Sequence, residues 1–216
     1  MGHDLRHGRG ERCRLEDRNA NIIGTVHRAV RLIYYAREDI VQGASGWQML
    51  SRLGGQGFGI LSQEAPDQRF MLYWLYYYFN RHVGEWVLKM DGTAPYCRPE
   101  QQAEEFAGPL TPALATSSAD ENEIYLVIAN GSWTRAVPCR VKLRDFRVAK
   151  ARGIVIGNDK LNGKPLLESK KEAISDLPVD TTGQEVNCTL GPHVVVFVTL
   201  SKSASSEEFV GGFRLR

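Results

Sequence analysis

Val26, Ala29, Val30, Ile33 and Ala36 recur at helical spacing behind Thr25, which suits an N-cap, and they predict a helix over 25–37. The run that follows, from Asp39 through Gly46, Trp47 and Gln48 to Leu50, reads as one buried strand ending in polar groups. A second helix is predicted over 70–79, where Phe70, Tyr73, Trp74, Tyr77 and Tyr78 keep helical spacing and Pro66 suits the first turn. Met71, Leu72, Leu75 and Tyr76 make its other faces apolar as well, so it is expected to be buried all round. It is far shorter than the roughly 20 residues that a bilayer span needs.

Beyond residue 84 the period changes from helical to alternating. Glu85 to Lys89 can open a sheet, whereas 99–122, rich in Pro, Gly, Ser and acidic residues, reads as a long loop or irregular edge. Strands are expected over 123–129 and 153–157, and a closing pair over 184–190 and 194–200 is separated by Gly191-Pro192. Asn130-Gly131 and Asn162-Gly163 are turn signals. Between them Val137, Cys139, Val141 and Leu143 alternate with Pro138, Arg140, Lys142 and Arg144, a half-buried strand with a basic outer face. Short strands joined by turns indicate a sandwich. The expected fold class is therefore α+β: a partial β/α-barrel remnant (helix, strand, helix) followed by an antiparallel β-sandwich. The expected divisions are a disordered tail at 1–20, the helical remnant at 21–83, the sandwich at 84–202 and a C-terminal tail at 203–216.

Length limits this picture more than composition does. The 216 residues are 43% hydrophobic, enough for a real core, but a complete β/α barrel alone takes about 250 residues. A remnant of one strand and two helices leaves edges and faces unpartnered, so association through them is expected unless the remnant packs on the sandwich. The net charge of +2 gives no reason to expect nucleic acid or a membrane as partner. Without an apolar leader near Met1, the chain as written is expected in the cytoplasm. Cys13, Cys97, Cys139 and Cys188 are too widely spaced for a metal motif, and His3 and His7 lie in a basic tail, so no metal and no cofactor are expected. The glycine-rich stretch 54–59 lacks the Lys-Ser or Lys-Thr of a phosphate loop.

Helix, Asp and strand in that order are the grammar of a β/α barrel, whose substrate-facing side chains stand at the C-terminal strand ends, here Gly46, Trp47 and Gln48. The order Asp39, Val41, Ala44, Ser45, Trp47, Gln48 resembles the last barrel strand of the retaining α-L-arabinofuranosidases, roughly Asp-x-Val-x-x-Ala-x-x-Ala-Gln. Trp47 stands where that family usually has Ala, and Ser51 where it usually has Asn. The buried helix over 70–79 matches the family's last barrel helix, and 126–130 and 190–198 resemble its sandwich strands. The resemblance implies the C-terminal part of a glycoside hydrolase acting on side chains of plant-type polysaccharides. Gln48, and with it Trp47, would contact an arabinose-containing glycan where the bond is cut. A buried Gln bonded to backbone at a strand end is the alternative.

Retaining hydrolysis needs two carboxyl groups roughly 5 to 5.5 Å apart. In the resembled family both are Glu on earlier barrel strands. The segment 1–18 offers Glu11, Glu16 and Asp17 but no apolar run to hold a buried strand, so the catalytic residues are unknown and the isolated chain is expected to be inactive. Glu38 and Asp39 precede the strand, on the barrel face associated with stability, which suits solvated or capping roles. Glu64 and Asp67 lie on the other side and are weak acid candidates if aromatics raise their pKa, while Asp67 also suits a helix N-terminus. Trp133, Trp86 and Tyr125 could form a sugar-stacking face, or be core. A non-catalytic sandwich module for carbohydrate binding or protein association is the competing function.

Overall fold

The computed structural model describes residues 21–44, 49–51, 60–63, 69–97, 108–157, 166–167 and 173–203. Helix α1 spans Ile22–Arg37 and is capped by Asn21, whose side-chain oxygen accepts the Ile23 N–H at 2.9 Å. The cap thus lies four residues before Thr25. Thr25 is buried inside the first turn, where its hydroxyl donates to the Asn21 carbonyl at 2.8 Å. Asn is as good a cap as Thr, and starting at Ile22 adds one more apolar residue to the buried stripe.

After α1 the backbone runs through a turn, and Ile40, the apolar residue expected inside a strand over 39–48, is 88% exposed. Regular pairing begins later, at β1 (Leu50–Ser51) with β2 (Leu61–Ser62) and β3 (Arg69–Phe70). Phe70 is extended and precedes helix α2, Met71–Phe79, which has no side-chain cap; the Pro66 expected in its first turn lies outside the described residues. The remaining strands are β4 (Trp86–Val87), β5 (Tyr96–Cys97), β6 (Gly108–Pro109), β7 (Ala113–Ser117), β8 (Glu123–Asn130), β9 (Val137–Lys142) and β10 (Val148–Ile156). They continue with β11 (Leu166–Leu167), β12 (Ile174–Leu177), β13 (Asp180–Thr182), β14 (Glu185–Leu190) and β15 (Val194–Lys202).

Strand β7 falls inside the stretch that the sequence reads as an irregular loop. Its residues Ala113-Leu-Ala-Thr-Ser117 are small and only weakly apolar, yet all but the first are buried, because β7 lies between β8 and β4. The main sheet has the order β12-β10-β15-β8-β7-β4, and every pairing in it is antiparallel. A three-stranded sheet, β13-β14-β9, and a small sheet, β1-β2-β3-β11, accompany it, and in the latter β1 and β2 are parallel.

The two faces of the main sheet bury different partners. Val127, Ala129, Ile154, Ile156, Val195 and Phe197 meet Ile22, Val26, Ala29 and Ile33 of α1 and Leu72, Leu75 and Tyr78 of α2. On the opposite face Leu126, Ile128, Val194, Val196, Val198 and Leu200 pack on Val186 and Leu190 of β14 and on Cys139 and Val141 of β9. The result is an α+β arrangement of helices, main sheet and smaller sheet in successive layers. Alternate residues of a strand point to opposite faces, so a strand covered on both sides reads as the unbroken apolar run Val194-Val-Val-Phe-Val198. By contrast β9, with one face in solvent, alternates as expected. The remnant helices therefore find their burial on the sandwich itself.

Candidate functional site

Trp47, Gln48, Glu64 and Asp67 all lie outside the described residues. What borders them is defined. The Met49 carbonyl accepts the N–H groups of Ile60 and Leu61 at 3.1 and 2.9 Å, which ties the residue next to Gln48 into the small sheet. Met49 and Leu50 are themselves exposed. Glu38 and Asp39 are exposed after α1, where the Glu38 N–H bonds the Tyr35 carbonyl at 3.3 Å, in keeping with a solvated, capping position. Along α2, Tyr73 and Tyr77 stack at 6.1 Å between ring centroids, with the Arg69 guanidinium 5.3 Å from the first ring and that of Arg81 3.7 Å from the second. Such contacts pin both cations along the helix, and the Arg81 guanidinium also donates to the Tyr77 carbonyl at 3.2 Å.

Two further clusters stand at the two ends of β8. At its start the Tyr125 hydroxyl donates to the Glu123 carboxylate at 2.5 Å, and the Ser201 hydroxyl lies 3.4 Å from the other oxygen. The bond to Glu123, helped by burial, pushes the Tyr125 hydroxyl up to about 12. His82 meets the Tyr125 ring edge-on at 6.4 Å and packs on Phe197 at 5.4 Å, so burial lowers its pKa, against the pull of its hydrogen bond to the Tyr78 carbonyl.

At the far end Asn130 is fully buried and donates to the carbonyls of Arg135 at 2.9 Å and Gly191 at 2.7 Å. Its side-chain oxygen accepts the Ser132 N–H at 3.0 Å, and the Ser132 hydroxyl accepts the Arg135 N–H at the same distance. One side chain thereby joins the loop after β8 to the turn between β14 and β15. On that joined base Trp133 stacks on His193 at 4.9 Å and 24°. The indole is 55% exposed, whereas His193 is 5% exposed. His193 has φ 51, in the left-handed region, and among the described residues neither ring nitrogen has a well-formed hydrogen bond. Burial lowers the His193 pKa, and the neighbouring Gly131 carbonyl partly opposes the fall.

The sequence reading singled out Trp133, Trp86 and Tyr125 but neither Asn130 nor His193, apart from the turns they flank. The signal lies in the two turn motifs, Asn130-Gly131 and Gly191-Pro192, but nothing in a linear pattern shows that they meet. Trp86, on the edge strand β4, is 59% exposed, and Tyr125 is half-buried. Among the described residues no group of three or more His, Cys, Asp or Glu could hold a metal ion, and no helix is long and apolar enough to cross a membrane.

No protein-family model and no curated protein sequence matches the chain. Solved structures do. The family 51 (GH51) arabinofuranosidase of Xanthomonas axonopodis pv. citri superposes with a TM-score of 0.69 at 14% identity, over 84% of this chain and 36% of its own. The α-L-arabinofuranosidase of Thermotoga maritima, solved with arabinose, gives 0.64 at 15% identity, over 84% of this chain and 38% of its own. A family 30 xylanase of Clostridium acetobutylicum gives 0.58 at 12% identity, over 84% of this chain and 40% of its own. The chain thus spans little more than a third of the length of these enzymes. At these identities the likeness is one of fold: it resembles the C-terminal part of the GH51 enzymes.

Proposed function

We propose that the chain forms the C-terminal part of an α-L-arabinofuranosidase-like glycoside hydrolase that trims arabinose from plant-type polysaccharides, with its catalytic carboxylates supplied from outside these 216 residues. The observation that carries this reading is the superposition on GH51 arabinofuranosidases over 84% of the chain. Gln48, with Trp47 beside it, lines the sugar subsite in this reading, on the strength of the motif resemblance. A second observation fits. Tyr34, Tyr35, Ile40, Met49 and Leu50 leave apolar surface exposed on the remnant, where a barrel would cover it, so these edges are its place of association.

The test uses the full chain. Calorimetric titration with an arabinofuranosyl oligosaccharide should detect binding that Gln48→Ala weakens about tenfold, the cost of roughly one good hydrogen bond to a sugar hydroxyl. Hydrolysis of an aryl α-L-arabinofuranoside by the isolated chain should be absent. Equal affinity in wild type and variant, or turnover by the chain alone, would contradict the assignment.

A non-catalytic sandwich module for carbohydrate binding or protein association is the second reading. The exposed indoles of Trp86 and Trp133 favour it. Turnover that no added barrel portion restores, together with glycan binding insensitive to Gln48→Ala, would select it.

A further inference from the structure

Trp133 is large, apolar and more than half exposed, and since single exposed apolar residues are common on folded chains, what sets it apart is its support. Its surroundings are not those of a floppy loop. Asn130 and Ser132 fix the backbone on either side of it through buried and half-buried hydrogen bonds, and β8 and β15 are held in register at Asn130 and Val194, where the loop begins. Beneath the indole the chain places a buried imidazole whose backbone lies in the left-handed region and whose two nitrogens have no well-formed hydrogen bond among the described residues. Both features oppose folding, and sites of this kind gather where a chain binds something. Their joint effect is to cover one face of the indole and hold the ring still, while more than half of the residue stays exposed. Burial keeps the imidazole neutral near pH 7, so the support is a stack of two uncharged rings.

We propose that the Trp133–His193 stack is a carbohydrate subsite, distinct from the one around Gln48, that takes the C–H face of a sugar ring within a glycan chain. The open face of an indole is electron-rich and matches the weakly positive C–H groups of a sugar ring. Thr134 and Arg135, both exposed beside it, offer a hydroxyl and a guanidinium to the sugar's own hydroxyls. A protein hot spot would set its aromatic among further apolar side chains, whereas here Ser132, Thr134 and Arg135 flank it in sequence. A nucleic-acid platform would need a basic track, and the net charge of +2 does not provide one. The inference rests on the carbohydrate reading of the fold but not on the role of Gln48.

Affinity electrophoresis of the full chain through gels cast with soluble arabinoxylan, or with arabinan, tests it. Wild type should be retarded in at least one of the two, and Trp133→Ala should bind about tenfold more weakly, since a stacked ring contributes about that factor. Trp133→Tyr, which keeps a ring, should recover most of the retardation, and it guards against a fold defect in the alanine variant. Gln48→Ala, which alters the other subsite, should still be retarded through Trp133. Retardation lost in Gln48→Ala but kept in Trp133→Ala overturns the platform and leaves the Gln48 subsite standing. Retardation lost only in Trp133→Ala supports the platform even if Gln48 proves idle. No retardation of wild type in either polymer, or Trp133-dependent retention by single-stranded DNA in its place, overturns the inference.

Discussion

Histidine is the residue type this fold uses most unusually. His27, His82 and His193 all have pKa values below the ordinary 6.5, with burial the leading cause in each case. Arg31 and Arg28 add to the shift at His27, while carbonyl oxygens oppose it at His82 and His193. A histidine depressed in the folded state binds protons more tightly once unfolded. Stability is therefore complete above the unfolded value and falls as pH drops from about 6.5 toward the folded values. The urea midpoint should accordingly fall between pH 7 and pH 5. A midpoint that stays level or rises across that window would refute the assignment of these imidazoles as neutral. Among the acids Asp120 stands apart: bonds from Ser118 and Asn122 hold its exposed carboxyl down to about 2, so it takes no part in that window.

Among the elements, the facing strands β9 and β14 place Cys139 directly opposite Cys188. Residues opposite each other in an antiparallel pair have Cα atoms about 4.5 to 5.5 Å apart, inside the range a disulfide spans. Both thiols are free, and the hydrogen bond between them lowers the Cys139 pKa and raises that of Cys188. With its pKa lowered by that bond, Cys139 is the expected nucleophile. Under a small-molecule disulfide oxidant it should attack the reagent, and the Cys188 sulfur should then displace the reduced reagent thiol, leaving a cross-strand bond. Maleimide labelling of the denatured chain should show two thiols lost, Cys139 and Cys188. The thermal midpoint should rise, as a disulfide contributes about 2–4 kcal/mol. Loss of other thiols instead, or an unchanged midpoint, would refute the pairing.

Element by element, the sequence is legible where burial is one-sided or complete. The alternation of β9 and the unbroken run of β15 both translate directly into layers. It is less legible where small residues do the packing, as in β7, and at the start of α1, where Thr25 and Asn21 are both good caps and only the packing of Ile22 decides between them. The run after Asp39 looks like a strand because Ile40 and Val41 are β-formers, but this propensity is overridden where no neighbouring strand pairs with them, and Ile40 stays in solvent. Gly84 shows a constraint that composition hides: a Cβ there would lie 2.1 Å from the Ser117 carbonyl oxygen, so only glycine lets the chain reach the edge strand β4. Of the site, the aromatic Trp133 was legible, and its partner His193 was not, since the two meet only through the long-range pairing of β8 with β15.

At the scale of the whole molecule, one sheet serves two purposes. Its outer face completes a sandwich, and its inner face takes the apolar stripes of α1 and α2. That explains how so short a barrel segment keeps a core, with Ile22, Ala29, Ile33 and Leu75 fully buried. Tyr34, Tyr35, Ile40, Met49 and Leu50 nevertheless remain exposed on that segment. The function proposed for this segment is to work as part of a larger arabinofuranosidase-like hydrolase. The most direct measurement is to capture the native protein from its source cells with an antibody to residues 123–200. Its size is then read on a denaturing gel and its activity on an aryl α-L-arabinofuranoside. The account predicts hydrolysis in the captured material, carried by a band well above the size of 216 residues or by a second chain bearing the carboxylates. A single band at the size of 216 residues with no hydrolysis would contradict it.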